Sequence, residues 1–104
     1  MPQFSISYFG GEQPSSPEEG RAQFAKYQQW LSEMGDAVIS PMNPFKDATT
    51  ILADGSASKG SASGMSGYTI IDVDSIETAI EHAKACPFLS INGTLEVAEL
   101  VEIN

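Results

Sequence analysis

The segment YTIIDV, residues 68–73, places apolar or β-branched side chains on both faces of an extended chain. Strands with this pattern occur inside sheets that are covered on both sides. We therefore take residues 68–73 as an interior strand and expect its sheet to need two covering layers.

The alternating residues 3–9, QFSISYF, predict a second strand. One of its sides is apolar and the other is small and polar, with Phe4, Ile6 and Tyr8 on the first and Ser5 and Ser7 on the second. Further strands are predicted at residues 36–40, 48–53 and 94–103, and on the last of these Leu95, Val97, Val101 and Ile103 share one side. Between them, the Ser-, Gly- and Ala-rich residues 56–67 predict a mobile loop that joins two antiparallel strands.

A first helix is predicted from Ser16, which is placed as an N-cap with Glu19 at the capping-box position. It is expected to run to about Met34 and to stop at Gly35. Its apolar stripe, at spacings of three and four residues, consists of Phe24, Tyr27, Leu31 and Met34, with Trp30 beside it.

A second helix is predicted to begin after Asp74 or Ser75 and to end before Pro87. Its buried stripe is expected to consist of Ile76, Ala79, Ile80 and Ala83.

The predicted order β-α-β-β-β-α-β is that of an α+β protein. It is close to a ferredoxin-like antiparallel sheet with two helices on one face and one inserted or divided strand. A length of 104 residues suits one domain, residues 1–104. The apolar pairs at 8–9, 70–71 and 100–101 place apolar groups on the second face as well, which the two helices cannot cover. We therefore predict a homodimer in which a second copy covers that face.

The composition argues against several classes of partner. The net charge is −9, from 14 acidic and five basic residues, and so disfavours nucleic acid and anionic membrane surfaces. A single cysteine excludes an internal disulfide, and no signal-like or membrane-length apolar run occurs, so we expect a cytoplasmic protein. One histidine and one cysteine do not predict a zinc site, and no phosphate-binding motif predicts a cofactor.

Several motifs, taken in order along the chain, resemble the YCII-related (DGPF) family. They are YQQWL at 27–31 with GD at 35–36, DG at 54–55, GYTII at 67–71 with DS at 74–75, AI at 79–80 with AKACP at 83–87, and GTLEV at 93–97. The resemblance covers nearly the whole chain. It implies a dimeric α+β barrel, in which two ferredoxin-like sheets face each other around a cavity.

The resemblance also implies where a catalytic pair would lie, because some members look like small-molecule enzymes of aromatic degradation that use a His-Asp pair. Here Phe24 stands at the position of that histidine, and Cys86 at that of the aspartate before the proline. Residues 54–57 read DGSA, so the phenylalanine of the DGPF signature is missing. A His-Asp mechanism is therefore not expected in this chain.

Three residues are candidates for a catalytic base. Glu99 falls in the alternation of the last strand, so it either escapes to water at an edge or bulge or points into the interior with a raised pKa. Asp72 poses the same alternative, and His82 is either a partly exposed surface residue or a general base near neutral pH. The candidates for hydroxyl groups in a ligand cavity, which otherwise have packing roles, are Tyr8, Ser7 and Tyr68.

Three functions follow as alternatives. The first is a homodimeric domain that binds a small organic molecule in a cavity between sheets, without established catalysis. The second is a lyase or isomerase acting on small organic acids or aromatic-degradation intermediates. The third is a non-catalytic protein-interaction module.

Overall fold

A computed structural model describes residues 1–103 of the chain. Along the chain, the strands and helices are β1 (Gln3–Gly10), α1 (Pro17–Met34), β2 (Val38–Pro44), β3 (Thr49–Ile51), β4 (Ala57–Lys59), β5 (Met65–Asp72), α2 (Ile76–Lys84) and β6 (Gly93–Glu99). Short 3₁₀ helices follow α1 at Gly35–Ala37 and α2 at Pro87–Ile91.

The four long strands form one antiparallel sheet in the order β2-β5-β1-β6. This α+β arrangement, with its two helices, is compatible with a ferredoxin-like fold, as predicted. The interior strand predicted from residues 68–73 is β5, which lies between β1 and β2. Strands β3 and β4 pair only with each other and form a separate hairpin, which we call the β3–β4 arm.

One contiguous core lies between the sheet and the helices. The apolar side of β1 is buried as predicted, and Ile71 of β5 and Val73, just after β5, extend it. From α1 the core receives Tyr27, Trp30 and Met34, and from α2 it receives Ala79 and Ala83. Because residues of both helices join the same cluster, both helices cover the same face of the sheet.

The predicted helix caps are confirmed, but one member of the α1 stripe and two members of the α2 stripe are exposed. Ser16 caps α1 by accepting the Glu19 N–H at 3.1 Å, and Ser75 caps α2 by accepting the Thr78 N–H at 3.2 Å. Phe24 is 54% exposed instead of buried, and Ile76 and Ile80 are also partly exposed. Neither of the helices in residues 1–103 has the length and apolarity needed to cross a membrane.

The last strand is shorter than predicted. It ends at Glu99, so the expected strand 94–103 is wrong beyond that point. Val101 and Ile103 are 82% and 91% exposed and contribute nothing to the core. The cause is the partner strand: β1 begins at Gln3, whose carbonyl accepts the Leu100 N–H, so β6 has no further backbone to pair with.

The middle of the chain also differs from the prediction. Strand β2 runs through Pro41 to Pro44, beyond the end of the strand predicted at residues 36–40, because an edge strand tolerates residues that lack an N–H. The predicted loop 56–67 contains β4 and the first residues of β5. The predicted strand 48–53 is the short β3 of the arm.

The second face of the sheet, which we call the open face, is covered by neither helix. Two rows of directly paired residues cross it: Ser5 lies between Ile70 and Ala98, and Ser7 lies between Tyr68 and Glu96. The face is thus less apolar than predicted, because serines occupy its central strand and Leu100 and Val101 lie beyond the sheet.

Candidate functional site

Two adjoining clefts open on the helix side of the molecule, with volumes of about 230 Å³ and about 130 Å³. We call them the outer cleft and the inner cleft, and Tyr27 and Met42 line both. The other residues of the outer cleft are Glu12, Gln13, Pro14, Glu19, Gly20, Gln23, Phe24 and Ile91. Those of the inner cleft are Tyr8, Asn43, Pro44, Ser66, Gly67 and Phe88.

The outer cleft is held open by bonds between segments that are distant in sequence. The Glu12 N–H donates to the Ile91 carbonyl at 2.8 Å, which ties the loop before α1 to the segment after α2. The Gln23 side-chain amide donates to the Pro87 carbonyl at 3.0 Å and ties α1 to the same segment. The cleft is therefore built into the fold, as most small-molecule sites are.

Tyr8 forms the floor of the inner cleft and is locked in place. Its ring meets the Phe88 ring edge to face, with centroids 5.1 Å apart. Its hydroxyl is hydrogen-bonded to Thr69, and the Thr69 hydroxyl in turn donates to the Pro41 carbonyl at 2.6 Å. Because Thr69 has only one proton to donate, the phenol of Tyr8 must donate to Thr69.

Burial keeps both phenols of the clefts protonated. Loss of hydration raises the pKa of Tyr27 to about 12, although the Gln23 side chain opposes the shift. Burial also raises the pKa of Tyr8. At neutral pH both groups are hydrogen-bonding phenols and not bases.

Cys86 lies behind the inner cleft and is buried. Loss of hydration raises the pKa of its thiol to about 11, despite hydrogen bonds that favour the thiolate. A protonated, buried thiol is a poor nucleophile, so Cys86 is suited to a structural role.

The outer cleft carries negative charge at its mouth. Glu12 accepts a hydrogen bond from the Asn92 side chain at 2.9 Å, and Glu19 accepts one from the Ser15 hydroxyl at 2.5 Å. Each carboxylate is thus oriented through one of its oxygens. The basic residues lie elsewhere: neither cleft is lined by Arg21, Lys26, Lys46, Lys59 or Lys84.

The predicted cavity hydroxyls lie on opposite sides of the sheet. Tyr8 lines the inner cleft on the helix side. Ser7 and Tyr68 pair directly with each other on the open face, where the Tyr68 ring packs 5.9 Å from that of Phe45. Because side chains of adjacent strand residues point to opposite faces, Ser7 and Tyr8 lie on opposite sides of β1.

The three predicted bases do not come together and do not line either cleft. Glu99 is exposed at the end of the edge strand β6, opposite Phe4 and so on the helix side. Asp72 pairs with Gln3 on the open face, and the Met1 amino group lies 3.8 Å from its carboxylate. His82 is half-buried on α2, where its carbonyl accepts the Trp30 indole N–H at 2.9 Å.

The sequence did not reveal most of the outer cleft, because its walls come from four separate segments. These are the loop before α1, α1 itself, β2 and the segment after α2. Tyr27 was recognised as part of the apolar stripe and of the YQQWL motif, and Glu19 only as a capping residue. Phe24 was recognised as a member of the stripe and as the residue at the position of the family's histidine. The exposure of Phe24 could have been predicted from its place in the sequence. It is the first member of the stripe, and the start of a helix can extend beyond the sheet that covers the rest of it. Met42 carried no such signal.

No cluster of three or more His, Cys, Asp or Glu side chains suited to a metal ion occurs within residues 1–103. The polar residues that line the clefts are tyrosines, a serine, Asn and Gln residues and two glutamates. The described site is therefore suited to recognition by packing and hydrogen bonding.

The class of protein that the structure defines is a small α+β domain with a helix-side cleft. No family model matches the chain, and no curated protein matches it either. The resemblance to the YCII-related family stays a prediction.

Proposed function

We propose that this domain binds a small organic molecule in the two clefts on its helix side. The observation that supports this function best is the composition of the clefts: an aromatic and aliphatic lining with a few oriented polar groups, which is typical of ligand sites. Together the clefts come to the lower end of the roughly 300–1,000 Å³ common for such sites, so a ligand of one ring with a short substituent fits best.

Binding without chemistry suits these residues better than catalysis does. The phenols of Tyr8 and Tyr27 and the thiol of Cys86 keep their protons at neutral pH, since burial raises the pKa of each. The predicted bases Glu99, Asp72 and His82 line other surfaces, so the enzyme alternative stays a prediction that needs a second site.

Binding of benzyl alcohol, followed by ligand-observed NMR, tests the proposal. We expect saturable binding that weakens about tenfold or more when Met42→Trp fills the wall shared by both clefts. Ile39→Trp is the matched control, because Ile39 lies on the same strand but lines neither cleft.

A second variant keeps the test decisive if Met42→Trp does not fold. Phe24 is 54% exposed, so Phe24→Ala should fold normally and still weaken binding by removing one wall of the outer cleft. Binding that is unchanged in both folded variants would contradict the proposal.

We also propose that the domain is a homodimer formed through the open face. The supporting observation is the charge distribution, since Ser5, Ser7, Tyr68 and Ile70 form an uncharged centre on a chain whose net charge is −9. Interface centres are depleted of charge in the same way. A dimer with facing sheets is the arrangement that the resemblance implies, and the cytoplasmic setting stays a prediction from the single cysteine and the lack of a signal-like run.

Sedimentation velocity at micromolar concentration tests the dimer. We expect the parent protein to sediment as a dimer and Ile70→Glu, in the centre of the open face, as a monomer. Ile80→Glu places the same charge on the exposed side of α2 and should leave the dimer intact. A monomeric parent protein would exclude this interface.

A further inference from the structure

We propose that the ligand of the helix-side clefts is an organic cation, namely a protonated amine with an aromatic or aliphatic body. This inference rests on the proposed function, because it names the ligand class of the same site. It depends on three features of the outer cleft: the sign of its charge, its aromatic walls, and the way the N-terminus of α1 is closed.

The charged groups of the outer cleft are all acidic. Among residues 1–103, Glu12 and Glu19 are its only carboxylate side chains, and none of the five basic residues lines either cleft. A carboxylate or phosphate ligand would enter beside two negative side chains without a cationic partner. A cation gains instead from both carboxylates and from the field of a chain with net charge −9.

Each of these carboxylates is held by one neighbour and keeps an oxygen for a ligand. Asn92 binds Oε2 of Glu12, and Ser15 binds Oε2 of Glu19. Within the described chain, neither Oε1 atom takes part in a side-chain hydrogen bond or an ion pair. An ammonium group needs acceptors of this kind, because all of its protons are donors.

The walls next to the carboxylates suit the body of such a ligand. Phe24 and Tyr27 lie one helical turn apart on α1, and both line the outer cleft with Ile91 and Met42. Aromatic faces attract ammonium groups through the quadrupole of the ring, which adds to the burial of the apolar body. The half-exposed Phe24 is available for this contact.

The N-terminus of α1 is the feature here that could attract an anion, and three of its first four residues offer no free N–H. Pro17 has no N–H, the Glu19 N–H donates to the Ser16 hydroxyl, and the Gly20 N–H donates to the Ser16 carbonyl at 3.0 Å. Glu19 also places its own negative charge in this first turn. The helix end therefore leaves an anion only the Glu18 N–H, beside the negative charge of Glu19, which is a weak anion site.

Three ligands of one shape test the inference: benzylamine as the cation, benzyl alcohol as the neutral compound and benzoate as the anion. We expect benzylamine to bind about three- to tenfold more tightly than benzyl alcohol at low salt, and benzoate more weakly than both. The advantage of benzylamine should shrink as salt is added, because screening weakens exposed charge interactions.

The double variant E12Q/E19Q should remove most of the preference for benzylamine over benzyl alcohol. Its control is E18Q/E33Q, which removes the same total charge from positions on α1 that line neither cleft. If both double variants lower benzylamine binding equally, the effect belongs to net charge and the inference fails.

The outcomes separate this inference from the proposed function. Equal binding of benzylamine and benzyl alcohol, or tighter binding of benzoate, would overturn the cation assignment and leave the binding site in place. If none of the three ligands binds, the proposed function fails and the cation assignment fails with it.

Discussion

At the scale of single residues, the helix-side clefts depend on positions where the backbone approaches a side chain closely. A Cβ atom on Gly93 would lie 2.1 Å from the ring of Phe88 and 2.7 Å from its carbonyl oxygen. Phe88 lines the inner cleft and packs on Tyr8, so the absent side chain of Gly93 sets the position of the cleft floor. Gly20 differs, because an added methyl group would meet only Pro14 at 3.5 Å.

These two glycines provide a matched pair of substitutions. Gly93→Ala should lower the free energy of unfolding by roughly 1–3 kcal/mol, because the methyl group must displace Phe88. Gly20→Ala should raise it by roughly 0.5–1 kcal/mol, because alanine favours the interior of α1. Urea denaturation followed by circular dichroism measures both. If Gly93→Ala is as stable as the parent protein, the close packing of Phe88 is not as described.

At the scale of secondary-structure elements, the β3–β4 arm is separate from the rest of the fold. All but one of its residues from 48 to 60 are exposed, and none belongs to the core. The arm closes on itself through hydrogen bonds at its turn, where the Ser56 hydroxyl and amide lower the pKa of Asp54. At the base of the arm, where the chain leaves and rejoins the main sheet, the Phe45 N–H donates to the Ser66 carbonyl at 2.8 Å and joins β2 to β5.

Replacement of residues 48–62 by a short glycine linker should therefore change the free energy of unfolding by less than about 1 kcal/mol, because isolated hairpins contribute little. Ile6→Ala, in the core, should cost about 2–5 kcal/mol by comparison. Equilibrium unfolding in urea compares the two variants. A loss of more than about 2 kcal/mol on removal of the arm would show that it packs against the domain.

At the scale of the whole molecule, the protein is a thin plate of 45 × 42 × 18 Å. Its radius of gyration of 15.1 Å exceeds the roughly 13 Å of a compact domain of this length. One sheet and one layer of helices account for the thickness, and the arm adds to the width. The core is consequently a single layer, and three of its members are the titratable groups Tyr8, Tyr27 and Cys86.

The protein should therefore lose stability at alkaline pH. The folded state raises the pKa of Cys86 to about 11 and that of Tyr27 to about 12, from ordinary values of 9.0 and 10.0. Below pH 9 both states keep these protons, and stability is complete. As the pH rises towards 11–12, the unfolded state loses protons that the folded state retains, so the free energy of unfolding falls.

Cys86 alone should lower the free energy of unfolding by about 2–3 kcal/mol, because each unit of its raised pKa corresponds to about 1.4 kcal/mol. Urea unfolding at pH 7 and at pH 10.5 measures it. Cys86→Ala should be less stable at pH 7 and should lose less stability between the two pH values. Equal losses in the parent protein and in this variant would exclude Cys86 as a source of the pH dependence.

The elements with strong local signals could be predicted from the sequence. The alternation of Phe4, Ile6 and Tyr8, the caps Ser16 and Ser75 and the stop at Gly35 act within a few residues, and all are found as expected. The end of β6, the separate arm and the side on which each hydroxyl lies depend on which strands pair, and pairing joins residues far apart in sequence. The clefts required the tertiary structure for the same reason: their walls meet only when α1 and the segment after α2 pack on the same face of the sheet.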